Sequence, residues 1–159
     1  MKTAEQLVAW LREAHALEKT MEQALMRQVN NPDNPECLRE KAQSHCHETQ
    51  RHADAMVACL NKLGADTTSV GDSLTSGLEL LRGAGASFAS EDRIKALLTI
   101  YAAEHFEIAH YTAMRTGALR LGMNEIVLTF DQIILEETRM VQWLELHLPL
   151  VINACLEKL

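Results

Sequence analysis

LLTIYAAEHFEIAHYTAM, residues Leu97–Met114, is the stretch whose reading decides the fold. Ile94, Leu97, Tyr101, Glu104, Ile108 and Tyr111 recur at steps of three and four, the spacing of one face of a helix. Glu104 therefore stands inside the apolar stripe, where a bundle helix would place leucine, and Glu107 projects from the same side one turn on. A carboxylate buried without a partner is costly, so two on one core face require something that neutralises them.

The rest of the chain suits a helical protein. Its 159 residues are enough for one sizeable core and predict a single domain over 1–159. Apolar residues make up 47%, aromatics only 4%, and there are few glycines and prolines, a composition that favours helices over sandwiches or disordered tails. A formal charge of -7 with scattered basic residues offers no counterion surface to nucleic acid. Cys37, Cys46, Cys59 and Cys155 form no C-x-x-C pair, and a domain of this length needs no disulfide staples, which predicts free thiols in a reducing compartment. MKTAEQLVAW leads straight into an amphipathic helix with Glu5 and Arg12 in it, which the uninterrupted apolar region of a signal peptide would not tolerate. No run reaches the length of a membrane span. The expectation is a cytoplasmic protein with no membrane and no nucleic-acid partner.

Four long helices follow from the periodicity. The first begins after Thr3, read as its cap, and shows Leu7, Leu11, Ala14, Glu18, Met21 and Leu25 on one face before Asn30-Asn31-Pro32. Asn34 and Pro35 supply a cap and first position for the second, whose inner face is Leu38, Ala42, His45, Glu48, His52, Met56, Cys59 and Leu63, with Gly64 as its stop. From Ala65 to Ser90 the chain turns rich in glycine, serine and threonine, with one amphipathic piece at Leu74 to Arg82. This predicts a crossover connection carrying a short helix. Ser90 caps the third helix, which runs to Leu121 before Gly122. Asn124 caps the fourth, with Ile126, Phe130, Ile133, Glu137, Met140 or Val141, and Leu144 inward, ending near His147 before Pro149. LPLVINACLEKL then predicts a short, separate C-terminal helix. The sum is an all-α antiparallel four-helix bundle.

Each inward acid lies near the middle of its helix, and at about 1.5 Å per residue all fall within roughly one turn of the same height. Glu18, Glu48, Glu104, Glu107 and Glu137 are thus expected in one layer, with His45 and His52 as imidazole candidates. A lone Glu near an apolar stripe usually bends out to water. Four helices doing so at one height points to cations: two divalent ions set against five acids, with oxygen and imidazole ligands suited to iron or manganese. The competing reading is a metal-free network of protonated acids paired with His45, His52 or Arg51. Glu136 is the alternative to Glu137. Tyr101 and Tyr111 are candidate donors to the carboxylates, whereas His15, His105 and His110 read as flank or interface residues.

One Glu from each of two helices with Glu and His from the others is the pattern of ferritin-like di-iron bundles. Within that class WLREAHALEKTMEQAL (Trp10–Leu25), HCHETQ (His45–Gln50), EHFEIAHYTAM (Glu104–Met114) and ILEETRMVQWL (Ile134–Leu144) resemble the bacterial YciE/YciF family over nearly the whole chain, and the YciE branch most. The resemblance implies a ferritin-like fold and an association with stress responses. It departs from the ferritin pattern in having no E-x-x-H pair, since Arg51 and Met140 stand three residues after Glu48 and Glu137. The expected function is a dinuclear iron or manganese centre, as in a di-iron or di-manganese oxidoreductase of peroxide or oxidative-stress defence. The alternative is a structural or interaction protein that uses the bundle for dimerisation. Trp10, Trp143, Leu146 and the apolar C-terminal piece exceed what one core buries and predict a homodimer.

Overall fold

A computed structural model describes residues 2–68, 79, 81–82, 87–88 and 92–158. Four helices carry the fold: α1 (Lys2–Asn30), α2 (Glu36–Lys62), α3 (Arg93–Arg120) and α4 (Asn124–Leu156). No helix among the described residues is long and apolar enough to cross a membrane.

Two dry clusters show how the helices run. Leu7 and Leu11 of α1, Met56 and Leu60 of α2, Met114 and Ala118 of α3, and Ile126, Phe130 and Ile133 of α4 close one end. Leu17, Met21, Leu25, Ala42, Ile100, Ala103, Met140 and Leu144 form the other. The chain therefore enters the first cluster from the starts of α1 and α4 and from the ends of α2 and α3. Neighbouring helices are antiparallel. α2 and α3 start at the same end, so their connection traverses the length of the bundle. Arg12 holds its start through the Asp66 carbonyl at 2.8 Å, and Arg27 holds its end through that of Phe88 at 2.9 Å, both from α1. Leu81 is buried in the second cluster, and Glu79, Leu81 and Arg82 are helical. Most of the short helix expected over 74–82 lies outside the described residues.

The helix stops follow the sequence. Gly64 and Gly122 both take φ +69, where an L side chain is strained. The wrap is completed by Ala65 N donating to the Leu60 carbonyl at 3.0 Å and Met123 N to that of Ala118 at 3.0 Å. The starts differ from expectation. α1 is already helical at Lys2, so Thr3 lies inside it. Asn34 does not cap α2; its Nδ2 turns back to donate to the carbonyl and Oε1 of Gln28, both at 3.0 Å, and closes the end of α1 instead. Asp92 caps α3 by accepting from Ile94 N and Lys95 N, and Ser90, the expected cap, lies outside the described residues. Met123, one residue before Asn124, occupies the cap position of α4.

The separate C-terminal helix is corrected. α4 continues through Pro149 to Leu156. Proline removes one N–H from the ladder, but the segment beyond it is held by tertiary contacts. Val151 and Cys155 pack with Leu38 and Leu97, Arg93 donates to the Cys155 carbonyl at 3.1 Å, and Lys158 donates to that of Asp33 at 2.9 Å. Packing outweighs the one lost bond. Replacing Pro149 by Ala should raise the unfolding free energy by roughly 1 to 3 kcal/mol. Urea denaturation measures this, and a lower midpoint would mean that the proline sets a bend on which the terminal packing depends.

Candidate metal centre

Between the two dry clusters lies a polar layer to which every helix contributes. Glu18 of α1, His45 and His52 of α2, Glu104 and Glu107 of α3, and Glu137 of α4 are all buried, Glu104 and Glu137 completely. The periodicity of α1 and α4 places Glu18 and Glu137 inward as expected. On α3 the buried line is Leu97, Ile100, Glu104, Glu107, Tyr111 and Met114 rather than one through Tyr101 and Ile108, both only half-buried. On α2 the buried line passes through His45, Thr49 and His52, which leaves Glu48 half-buried at the edge.

Two groups of ligand atoms form within the layer. Glu18, His52 and Glu137 each offer an atom within 4.8 Å of the others, and so do His45, Glu104 and Glu137. Glu137 is common to both. His52 Nδ1 lies 2.7 Å from Glu137 Oε1 and 3.5 Å from Glu18 Oε1. His45 Nε2 lies 3.1 Å from Glu104 Oε1 and 3.3 Å from Glu137 Oε2. The outward nitrogens face the edge acids: His45 Nδ1 is 2.7 Å from Glu48 Oε2, and His52 Nε2 is 2.7 Å from Glu136 Oε2. Glu107 is buried beside these groups without belonging to either. Glu136 therefore does not replace Glu137; consecutive acids on α4 serve the edge and the centre of one layer. The adjacent pair at 136–137 was the signal for this in the sequence.

The surrounding residues sort differently from expectation. The Tyr111 hydroxyl donates to Glu18 Oε1, whereas Tyr101 donates to the exposed Glu145 at 2.9 Å and has no part in the layer. His105 is exposed. His110 is buried, with Glu13 at 3.7 Å and the rings of Trp10 and Phe106 around it. Neither they nor His15 joins the two groups.

Electrostatics follow from crowding acids in a dry space. Burial pushes Glu104 and Glu107 well above the ordinary carboxylate range; the charge of His45 opposes this at Glu104, and the charges of Glu18, Glu137 and Glu104 add to it at Glu107. Burial also raises Glu18. Glu137 goes the other way, because the close approach of Glu104, His45 and His52 outweighs its burial and favours the anion. Burial opposes charge on His52 too, yet Glu137 and Glu18 outweigh it and push the imidazole up to about 10. His45 is likewise raised against its burial, chiefly by Glu104. Burial thus favours the neutral form at Glu18, Glu104 and Glu107.

Several buried polar atoms remain without a partner. Glu18 Oε2, Glu107 Oε1, both oxygens of Glu137 and His52 Nδ1 have no aligned hydrogen-bond partner, although the last lies 2.7 Å from one of those oxygens. Close approach without alignment is what lone pairs aimed at a common point produce, and a cation there would satisfy several together. Carboxylate oxygen with imidazole is a ligand set for iron or manganese. The residues fit such ions.

Comparison with known proteins identifies the family and the fold. A family described as a domain of unknown function (DUF892) matches residues 2–157. A protein from Xanthomonas campestris has the same fold, with a TM-score of 0.81 and 25% identity over 99% of this chain and 98% of its own. Ferritin-like, diiron-carboxylate proteins from Bacillus anthracis are similar, with a TM-score of 0.73 and 19% identity over 91% and 96%. So is YcfI of Rhodopseudomonas palustris, named as a structural protein, at 0.71 and 22% over 91% and 94%. The fold is ferritin-like, and its buried Glu and His groups are compatible with a metal site. Replacing Tyr111 by Phe removes the donor to buried Glu18 and should lower stability by about 1 to 3 kcal/mol. Urea unfolding checks this, and an unchanged midpoint would mean that Glu18 does not depend on the hydroxyl.

Proposed function

The chain belongs to the DUF892 family, the YciF-like family, and from that membership and its polar layer we propose that it holds two divalent ions, iron or manganese, side by side in the bundle. Glu18 and His52 would hold one ion and His45 and Glu104 the other, with Glu137 common to both groups. Glu107, buried beside both groups, would be a further ligand, and Glu48 supports His45 from the edge. The observation that carries the reading is the shared Glu137, both of whose oxygens lack an aligned donor while lying in both groups. Such ions supply Lewis acidity and, for iron or manganese, redox chemistry at neutral pH. The protein's part is to fix the ligands, keep water out with the two dry clusters, and hold protons on Glu104 and Glu107 that metal uptake displaces. Oxidative-stress defence in the cytoplasm, as a di-iron or di-manganese oxidoreductase, is the role this assignment favours.

Elemental analysis after anaerobic loading with Fe(II) or Mn(II) should give about two ions per chain, one for each ligand group. Glu18→Gln and Glu104→Gln should each lose one ion, and Glu137→Gln both. Loading at background level in the unaltered chain would remove the proposal.

A second reading has its own observation: both imidazoles already contact carboxylates, and burial favours the neutral form of other acids, so the layer can be balanced without metal. In that case the chain is a structural or interaction protein, the description carried by YcfI. It then tolerates Glu104→Gln with equal or higher stability and no chelator response. Dimerisation is common to both readings. It draws support from the exposed Leu128, Leu135, Leu146 and Leu150 along α4, of which Leu146 is 77% exposed. Trp10 and Trp143, by contrast, are half-buried against their own chain. Light scattering at micromolar concentration should read about twice the 17.8 kDa of one chain, and the single-chain value would defeat the dimer.

A further inference from the structure

Resting on the metal reading above, we infer that the seam between α2 and α4 is the port through which cations reach the buried layer, and that Arg51, held there by Glu136, sets the rate of passage. Lengthwise approach is closed, because the layer lies between two dry clusters built from all four helices. Among the four lateral seams the one between α2 and α4 is the most sparsely packed. It is also crossed by polar side chains at the height of the layer. From the surface inward, Arg51 Nη2 lies 3.6 Å from Glu136 Oε1, Glu136 Oε2 lies 2.7 Å from His52 Nε2, and His52 Nδ1 reaches Glu137. Exposure of the side chains falls along this line from 59% at Arg51 through 11% at Glu136 to 2% at His52 and 0% at Glu137. A parallel line runs from Glu48, 23% exposed, through His45 to Glu104.

The outer acids draw cations inward, and among the described residues no other part of the layer has carboxylates graded from solvent to centre. The guanidinium works against them. Arg51 is anchored on its own helix by donating to the His47 carbonyl at 3.3 Å, and Gln132 steadies Glu136 by donating to Oε1 at 2.7 Å. A fixed positive charge at the mouth repels an incoming ion without touching the ligands. It also leaves the bound state little changed, so its signature is kinetic. On the opposite seam, between α1 and α3, Trp10 and Phe106 flank the Glu13–His110 pair and offer no graded path.

The test follows the free Mn(II) electron paramagnetic resonance signal after rapid mixing with the metal-depleted chain at low salt. R51A should take up Mn(II) at least about threefold faster and R51E faster still, with the ion count at equilibrium unchanged, as expected when a charge at a focusing cleft alters an on-rate. R51K, which keeps the charge, should match the original chain. The gap between R51A and the original should close as salt screens the mouth, which a packing defect would not do. Uptake unchanged in R51A and R51E, or accelerated equally at high salt, overturns the port. So does a rate altered instead by E13Q on the α1–α3 seam. If the original chain binds no Mn(II) at all, the metal reading falls and the port with it; if it loads normally but ignores Arg51, only the port falls.

Discussion

Charge balance in a dry layer is the constraint on which the rest of this molecule depends. Glu18, Glu104, Glu107 and Glu137 meet between two apolar clusters, and a dry interior does not hold that many anions uncompensated. The sequence provides His45 and His52 as partial counter-charges, and burial favours the neutral form of Glu104. Several lone pairs remain without donors. A protein could lower its folding cost by replacing these residues with leucine, and this one instead brings acids from three helices together with imidazoles from the fourth. That arrangement is what makes a cation site a better account than a chance polar core.

The scaffold exists to keep that layer in register. Heights on different helices agree only if the helices cannot slide, and the long connection pinned to Arg12 and Arg27, the two glycine stops and the anchored end of α4 all act along the bundle axis. The dry clusters on either side supply the apolar burial that offsets the cost of the polar layer. They also confine exchange with solvent to a lateral route. Stability and access are thus divided between the ends of the bundle and one of its seams.

Reading the sequence against the structure separates strong signals from weak ones. α1 and α4 have clean stripes, and their inward residues, Glu18 and Glu137 among them, come out as expected. α3 does not, because Tyr101 and Ile100 are both acceptable inward residues at adjacent positions and periodicity alone does not choose between them. The same ambiguity on α2 put Glu48 in the core, when a rotation of about 100° per residue gives that place to Thr49. Pro149 read as a terminator since local propensity weighs one missing N–H heavily, while the contacts of Val151 and Cys155 that carry the helix through it come from residues far away in sequence.

The sequence by itself determined the class of fold, the four helices and the gathering of acids at one height, because these follow from helical period and from distance along each rod. It also carried the resemblance to the YciE/YciF family. Tertiary structure alone decided that Glu137 is shared by two ligand groups, that Glu136 and Glu48 stand at the rim, and that Tyr111 rather than Tyr101 serves Glu18. Those facts depend on how each helix is rotated about its own axis against its neighbours. Packing of all the side chains together sets that rotation, and no local pattern encodes it.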